Sequence, residues 1–211
     1  CGRGRHRREW ISNVGEDLLI SVLLRPPINT VAQLSMLAGL SVSTTVDGFT
    51  GGISTLKWPN DVRYNGMKIA GILIESRVES SHTLSVIGIG LNVNSDASKK
   101  IEIAGRATSL RNIIQRNLSR TKVLSLLLRN VDQYYARILE GESLHDEWMN
   151  RIDTLGQVVR IKVGSETILG VAESVDRHGH LVLRTDDGKR QTFSAGDVTL
   201  DSADVEVARG W

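Results

Sequence analysis

Short apolar runs alternate with polar turns in the first half of the chain, a pattern that predicts strands joined by tight connections. The first run ends at Pro26 and Pro27, because proline cannot continue a strand ladder. Asn65-Gly66 is a strong hairpin signal between two later runs. Apolar residues at a helical period from Val31 onward predict one helix among these strands. The predicted strands are 18–26, 54–64 (interrupted at Trp58-Pro59), 67–79 and 82–94.

The second half changes from a helical period to a strand period near Thr154 to Gly156. Before that point, helices are predicted at 107–114, 121–140 and 143–152. After it, four or five short strands are predicted, separated by Gly-Ser, His-Gly and Asp-Gly turns. A run of short strands of this length suits a small β-barrel of SH3-like size. We therefore predict domains at 1–154 and 155–200, with a loose acidic tail at 201–211.

Composition narrows the functional classes. The 211 residues carry a net charge of only +2, which does not by itself indicate a nucleic-acid partner. The single cysteine, Cys1, excludes an internal disulfide framework and a multi-cysteine metal site, so we expect a reducing cytoplasm. No apolar stretch approaches the ~18–20 residues needed to cross a bilayer. Because the chain begins with Cys rather than Met, we expect a fragment of a longer protein.

The segment LKWPNDVRYNGMKIAGIL sets four polar residues in an otherwise apolar hairpin: Lys57, Asn60, Asp61 and Lys68. Buried ionisable groups need partners, so this density of polar groups favours a functional site. Gly71 lies inside a strand, where glycine is expected if something must approach the backbone closely. The alternative is an ordinary hairpin with a solvated turn.

A second pattern, VIGIGLNVN, combines Gly88 and Gly90 with Asn92 and Asn94. Glycines clear space above a strand, and amides at a period of two lie on one face where they can bind a flat polar ligand. A twisted strand or a bulge explains the glycines equally well. The dinucleotide fingerprint is excluded, since its third glycine and its following helix are missing.

The opening GRGRHRRE is a flexible, strongly basic segment. Arg3, Arg5 and Arg8 carry forked donors suited to phosphate or carboxylate, and Gly2 and Gly4 let the backbone approach a ligand. On composition alone, a basic tail or a nucleic-acid arm is the favoured alternative. The five histidines show no metal-ligand spacing, so no protein metal site is predicted.

Taken in order, GRGRHRREW, LKWPNDVRYNGMKIAGILIE, VIGIGLNVN and ATSL resemble the biotin protein ligases, and a small C-terminal barrel fits them as well. KWPND, followed after seven residues by a lysine and then AGIL, is specific to that family and its close relatives. The resemblance implies an α+β fold: a class II synthetase-like mixed sheet with helices on one face, then an SH3-like β-barrel. It also implies a reaction, in which ATP and Mg²⁺ activate biotin to biotinyl-5′-AMP before transfer to a lysine of a biotin carboxyl carrier protein.

The resemblance implies roles for individual residues. Lys68 would bind the biotin carboxylate and the α-phosphate, Arg5 would hold the intermediate, and Asp61 would position and deprotonate the acceptor lysine. Arg8 would lie at the phosphate, and Trp10 would form a wall of the nucleotide site. The implied binding set is Arg3, Gly4, Arg5, Arg8, Trp10, Lys57, Asn60, Lys68, Gly71, Gly88, Gly90 and Asn92. We expect no membrane or nucleic-acid partner. We expect a homodimer formed through the edge of the catalytic sheet.

Two departures from the family pattern are visible. Arg7 stands where the family usually has glycine, which adds bulk and charge to the basic loop. The family's preceding strand, with its Ser-Thr-Asn biotin contacts and a nearby Gln, is absent, so we expect part of the biotin pocket to be missing.

Two other functions stay open. One is a lipoate–protein ligase, a close enzyme relative. The other is a non-enzymatic nucleic-acid-binding module, although the predicted barrel holds many acids, including Asp186 and Asp187.

Overall fold

A computed structural model describes residues 2–5, 9–79, 82–96 and 106–200. The strands before residue 92 are β1 (Gly2–Arg3), β2 (Glu9–Trp10), β3 (Leu18–Leu24), β4 (Thr55–Lys57), β5 (Asp61–Tyr64), β6 (Met67–Glu79) and β7 (His82–Leu91). The helices are a 3-10 helix (Ile28–Gln33), α1 (Leu34–Thr50), α2 (Leu110–Ile114), α3 (Arg120–Leu139) and α4 (His145–Met149). The final strands are β8 (Val158–Val163), β9 (Glu166–Val175), β10 (Leu181–Arg184), β11 (Arg190–Phe193) and β12 (Asp197–Leu200).

The main sheet has five strands in the order β3-β7-β6-β5-β4. The mixed sheet expected from the sequence is corrected here, because all four strand pairings are antiparallel. Tight hairpins cause this, since a two-residue turn such as Asn65-Gly66 can join only antiparallel neighbours. Parallel pairing among the described residues is limited to two isolated bridges, Leu56 with Ile152 and Lys68 with Ala107.

Helices cover one face of this sheet. α1 packs against β4 to β7, and α3 packs against α1 from the other side. α1 is therefore buried nearly all round, which requires its small polar side chains to find partners. Ser41 and Thr45 donate their hydroxyls to the carbonyls one turn back, at Leu37 and Ser41. None of the helices in the described ranges is long and apolar enough to span a membrane.

The C-terminal strands form a second antiparallel sheet, in the order β11-β10-β9-β8-β12. Its core is made by alternate residues, as the sequence period of two predicts; Val159, Ile161 and Leu183 are fully buried. Among the described residues, the outer strands β11 and β12 are not paired with each other. The five strands agree with the sequence, and closure into a barrel stays a prediction.

Two contacts join the C-terminal sheet to the main sheet and to α4. The Trp58 indole N–H donates to the Gly179 carbonyl at 2.9 Å. The Nε2 atom of His145 lies 3.1 Å from the Val175 carbonyl. Both contacts place the C-terminal strands beside β4 and α4.

A partly buried ion pair ties the end of α1 to the chain after α4. Asp47 accepts hydrogen bonds from the Ser54 amide and hydroxyl, both at 2.7 Å, and pairs with Arg151 at 2.6 Å. Asp47→Ala would remove the carboxylate that pairs with Arg151 and accepts from the Ser54 amide, while Arg151 and the Ser54 hydroxyl keep their bonds to Ser43. We expect the free energy of unfolding to fall by about 2–3 kcal/mol in urea titration. Asp132→Ala, at an exposed position on α3, is the control and should change it little; equal effects would contradict the prediction.

Candidate active site

Three strands bring an acidic group and two glycines into one row. In the β-ladder, Asp61 pairs with Gly71, Gly71 with Gly90, and Gly90 with Leu19. Residues paired directly across an antiparallel sheet point to the same face. Ala70 precedes Gly71 on β6 and is fully buried in the core. Because adjacent residues of a strand point to opposite faces, the row lies on the face opposite the helical layer.

Trp10 lies against the two glycines of this row. A Cβ atom added at Gly71 would approach the Trp10 ring to 2.8 Å, and one added at Gly90 would approach it to 2.7 Å. Only glycine lets the indole come this close to the sheet. The Trp10 N–H is buried and has no hydrogen-bond partner among the described residues. The strand glycines therefore clear space that an aromatic ring shares.

Lys68 and Asp61 form an ion pair beside this indole. The distance from Lys68 Nζ to Asp61 Oδ1 is 2.7 Å, and the ammonium lies 5.3 Å from the centre of the Trp10 ring. A β-bulge between Val62 and Arg63 shifts the register between the two strands that carry these charges. The Lys68 backbone is fixed by bonds to the Arg106 carbonyl and the Thr108 amide. A cation is thus held rigidly on the open face of the sheet.

A large cavity lies above this face and encloses about 440 Å³. The basic loop (Gly2, Arg3 and Gly4), Trp10 and the three glycines of β6 and β7 line it. This volume lies within the range typical of small-molecule sites. The strand glycines contribute backbone to its lining, and the basic loop contributes Arg3.

A second, smaller cavity of about 190 Å³ lies between the main sheet and the C-terminal sheet. Lys57, Trp58 and Asp61 line one side, and Ser194 and Ala195 line the other. It shares Asn60, Ile72 and Leu73 with the large cavity, so the two cavities are adjacent, and together they are called the cleft below.

Arg5 joins the basic loop to the C-terminal sheet. Its Nη1 donates to the Gly196 carbonyl at 3.1 Å, across 191 positions in the chain, and its side chain lines the smaller cavity. Arg5 therefore links the described N-terminal residues that line the large cavity to the C-terminal sheet.

Lys57 is a half-buried amine that lines the smaller cavity. Burial lowers the pKa of its ammonium, and the nearby Arg63 guanidinium lowers it further. Asp61 and Asp153 act in the opposite direction, and the net pKa lies below the ordinary value.

The structure gathers most residues of the implied binding set, together with the implied catalytic residue Asp61, around the cleft. Those in the described ranges that line a cavity or contact its lining are Arg3, Gly4, Arg5, Trp10, Lys57, Asn60, Asp61, Lys68, Gly71, Gly88 and Gly90. Asn92 lies apart: it is 6% exposed, lines neither cavity, and donates its amide to the Thr108 carbonyl at 2.9 Å. Arg8 and Arg7 fall outside the described residues.

Sequence reasoning missed three residues: Ser194 and Ala195, which line the cleft, and Asp153, which lies beside Lys57. Asp153 accepts from Thr55 at 2.7 Å and pairs with Arg63 at 3.4 Å beside Lys57. Ser194 and Ala195 complete the smaller cavity. Each is distant in sequence from the motifs, so no local pattern could have indicated them.

Comparison with known proteins shows to which family the chain belongs. Residues 1–92 match the Biotin/lipoate A/B protein ligase family, and residues 154–201 match the biotin protein ligase C-terminal domain. The biotin–[acetyl-CoA-carboxylase] ligase of Mycobacterium tuberculosis is 34% identical over 209 residues, which cover 94% of this chain and 74% of that protein. The chain belongs to the biotin protein ligase family.

The chain spans only part of the length of some other members of the family. The bifunctional ligase/repressor BirA of Bacillus subtilis is 32% identical over 206 residues, and the chain covers 63% of the length of that protein. The Aquifex aeolicus biotin protein ligase in complex with biotin and ATP superposes with a TM-score of 0.77. It is 29% identical, and the match covers 95% of this chain and 84% of the other.

Proposed function

We propose that this chain is an ATP-dependent biotin–protein ligase. In the first step the biotin carboxylate attacks the α-phosphate of ATP, which displaces pyrophosphate and gives biotinyl-5′-AMP. In the second step an acceptor lysine attacks the acyl carbon and releases AMP. The observation that supports this most strongly is the Lys68–Asp61 pair, held beside Trp10 in the cleft.

The first step needs charge neutralisation more than covalent help. Phosphoryl transfer is accelerated by positioning the reactants and by stabilising charge on the phosphoryl oxygens. Lys68 supplies a fixed cation, while Arg3 and Arg5 supply forked donors from the loop. By the resemblance to the family, Arg8 would add a third arginine at the phosphate. Gly71 and Gly90 make room for the Trp10 ring, which together with Gly88 lines the cavity that we assign to biotin.

The second step needs an acceptor amine held near the acyl carbon. Asp61 lines the smaller cavity, where an ammonium entering between the two sheets would meet its carboxylate. We assign it the role of positioning that ammonium. We propose that the acceptor is a lysine of a biotin carboxyl carrier protein. The same proposal includes a catalytic domain at 1–154 and a C-terminal domain at 155–200. It also includes a homodimer and a cytoplasmic location.

Magnesium fits this site only as a companion of the substrate phosphates. Within residues 2–5, 9–79, 82–96 and 106–200, no three His, Cys, Asp or Glu side chains are grouped to hold a metal ion. Mg²⁺ commonly uses one or two carboxylates together with substrate phosphates. No step proposed here depends on a metal held by the protein.

Thermal unfolding with ligands tests the proposal. A ligand that binds only the folded state raises the melting temperature by mass action. Biotin with ATP should raise it more than either alone, because the adenylate combines the contacts of both. Lipoate with ATP is the control for the close enzyme relative. Stabilisation by lipoate and not by biotin would refute the proposal.

Arg5→Gly should weaken retention of the intermediate. The change removes the Arg5 donor that bonds to Gly196 and with it one link between the basic loop and the C-terminal sheet. We expect biotinyl-AMP to dissociate about tenfold faster and to label bystander lysines, measured as biotin on added serum albumin. Arg177→Gly, in an exposed turn, is the matched control. A variant that stays specific would show that the loop does not retain the adenylate.

A further inference from the structure

Lys57 is a titratable group that the two proposed steps leave without a chemical role. It lies on β4, directly opposite Asp61 in the strand pairing, and both residues line the smaller cavity. The carboxylate of Asp61 is engaged by Lys68 at 2.7 Å. Among the described residues, the side chain of Lys57 forms no hydrogen bond or ion pair. An unpaired, half-buried amine beside an ion pair is suited to proton transfer.

The charges facing Lys57 come from three elements. Asp61 and Arg63 lie on β5, Lys68 lies on β6, and Asp153 lies after α4. Arg63 is held by Asp153, so its positive charge stays close to Lys57. Burial is the largest influence on the pKa of this amine and lowers it; Arg63 and Lys68 also lower it, while Asp61 and Asp153 raise it. More of the neutral amine is therefore present near neutral pH than for an exposed lysine.

We propose that Lys57 is the proton acceptor for the incoming lysine in the transfer step, an inference that rests on the proposed function. The acceptor ammonium gives one proton to the neutral Lys57 amine. The freed amine attacks the acyl carbon of biotinyl-AMP; a C–N bond forms and the C–O bond to phosphate breaks. AMP leaves with the bonding electron pair, and the second nitrogen proton passes to solvent. Lys57 then returns its proton to water.

This role suits an amine better than a carboxylate. Proton transfer between two amines is nearly balanced in energy, whereas transfer from an alkylammonium to a carboxylate is strongly uphill. Asp61 and Lys57 then divide the work: the carboxylate attracts the acceptor ammonium, and the facing amine removes its proton. Entry between Trp58 and Ser194 would bring the acceptor to both groups.

Lys57→Arg separates proton transfer from simple charge. Arginine keeps a positive charge and cannot accept a proton. The variant and the wild type are given purified biotinyl-AMP, so that adenylation is bypassed. Two nucleophiles are compared, each above the enzyme-free rate: a purified biotin carboxyl carrier domain, and hydroxylamine, which is already neutral near pH 7. We expect transfer to the carrier to fall about a hundredfold, while transfer to hydroxylamine stays within about twofold.

Two outcomes overturn the inference. Carrier transfer within about threefold of wild type means that Lys57 supplies only charge. An equal loss with both nucleophiles means that it positions the adenylate. Lys57→Met, which has neither charge nor a proton site, should match Lys57→Arg and serves if arginine does not fit. Lys122→Arg, at an exposed position on α3, is the control. If wild type gains no stability from biotinyl-AMP, the proposed function itself fails, and this result is distinct from the others.

Discussion

Lys68→Ala is expected to reduce biotin-dependent pyrophosphate release at least about a thousandfold. The change removes the one cation that the described structure fixes within 2.7 Å of Asp61 and over the Trp10 ring. A charge held in place before the reaction stabilises the developing phosphate charge without reorganisation. The backbone bonds of Lys68 to Arg106 and Thr108 do not involve its side chain, so the fold should survive.

Pyrophosphate release, followed with biotin and ATP both saturating, is the measurement for Lys68. The matched control is Lys189→Ala, since Lys189 also pairs with an aspartate, Asp187, at 2.7 Å but lies in an exposed turn of the C-terminal sheet. The control should keep the wild-type rate. Near-normal release by Lys68→Ala would remove Lys68 from the first step.

Gly90→Val is expected to weaken biotin binding about a thousandfold, which corresponds to about 4 kcal/mol. Even a single Cβ at this position would lie 2.7 Å from the Trp10 ring, so valine must displace the indole and fill part of the large cavity. Valine favours strands, and the side chain would point to the open face rather than to the core. The sheet should therefore form while the pocket is blocked.

Calorimetric titration with biotin measures this loss, and circular dichroism checks the fold. Gly48→Ala is the control, because its added Cβ on α1 would meet only a flexible leucine terminus, Leu126 Cδ2 at 3.3 Å. Wild-type affinity for biotin in Gly90→Val would show that biotin does not bind in the large cavity beside Gly90.

Local patterns were sufficient to predict most elements of the fold. Proline at 26 and 27 ends β3, and Asn65-Gly66 forms the β5–β6 turn with positive φ at both residues, 48° and 76°. The helical period from Val31 is confirmed with one change, since residues Ile28–Gln33 form a 3-10 helix before α1 begins at Leu34. Hydrophobic periodicity is a short-range property, so it predicts elements well and their ends less well.

The candidate site could be predicted only in part. KWPND and the strand glycines indicated the cleft because their spacing on paired strands brings them together. The role of Asn92 was harder, because an amide on a strand can bind a ligand or cap a neighbouring segment, and here it bonds to Thr108. The contact between Arg5 and Gly196 depends on how two sheets pack, which no local pattern contains. The half-buried state of Lys57 likewise follows from packing with Trp58 and the C-terminal sheet.

Direct detection of the adenylate tests whether this chain activates biotin with ATP. The chain is incubated with ATP and equal concentrations of biotin and lipoate, and the products are separated and identified by mass spectrometry. The account predicts biotinyl-5′-AMP and pyrophosphate in amounts that depend on both ATP and biotin. Formation of lipoyl-AMP instead, or of no adenylate at all, would contradict it.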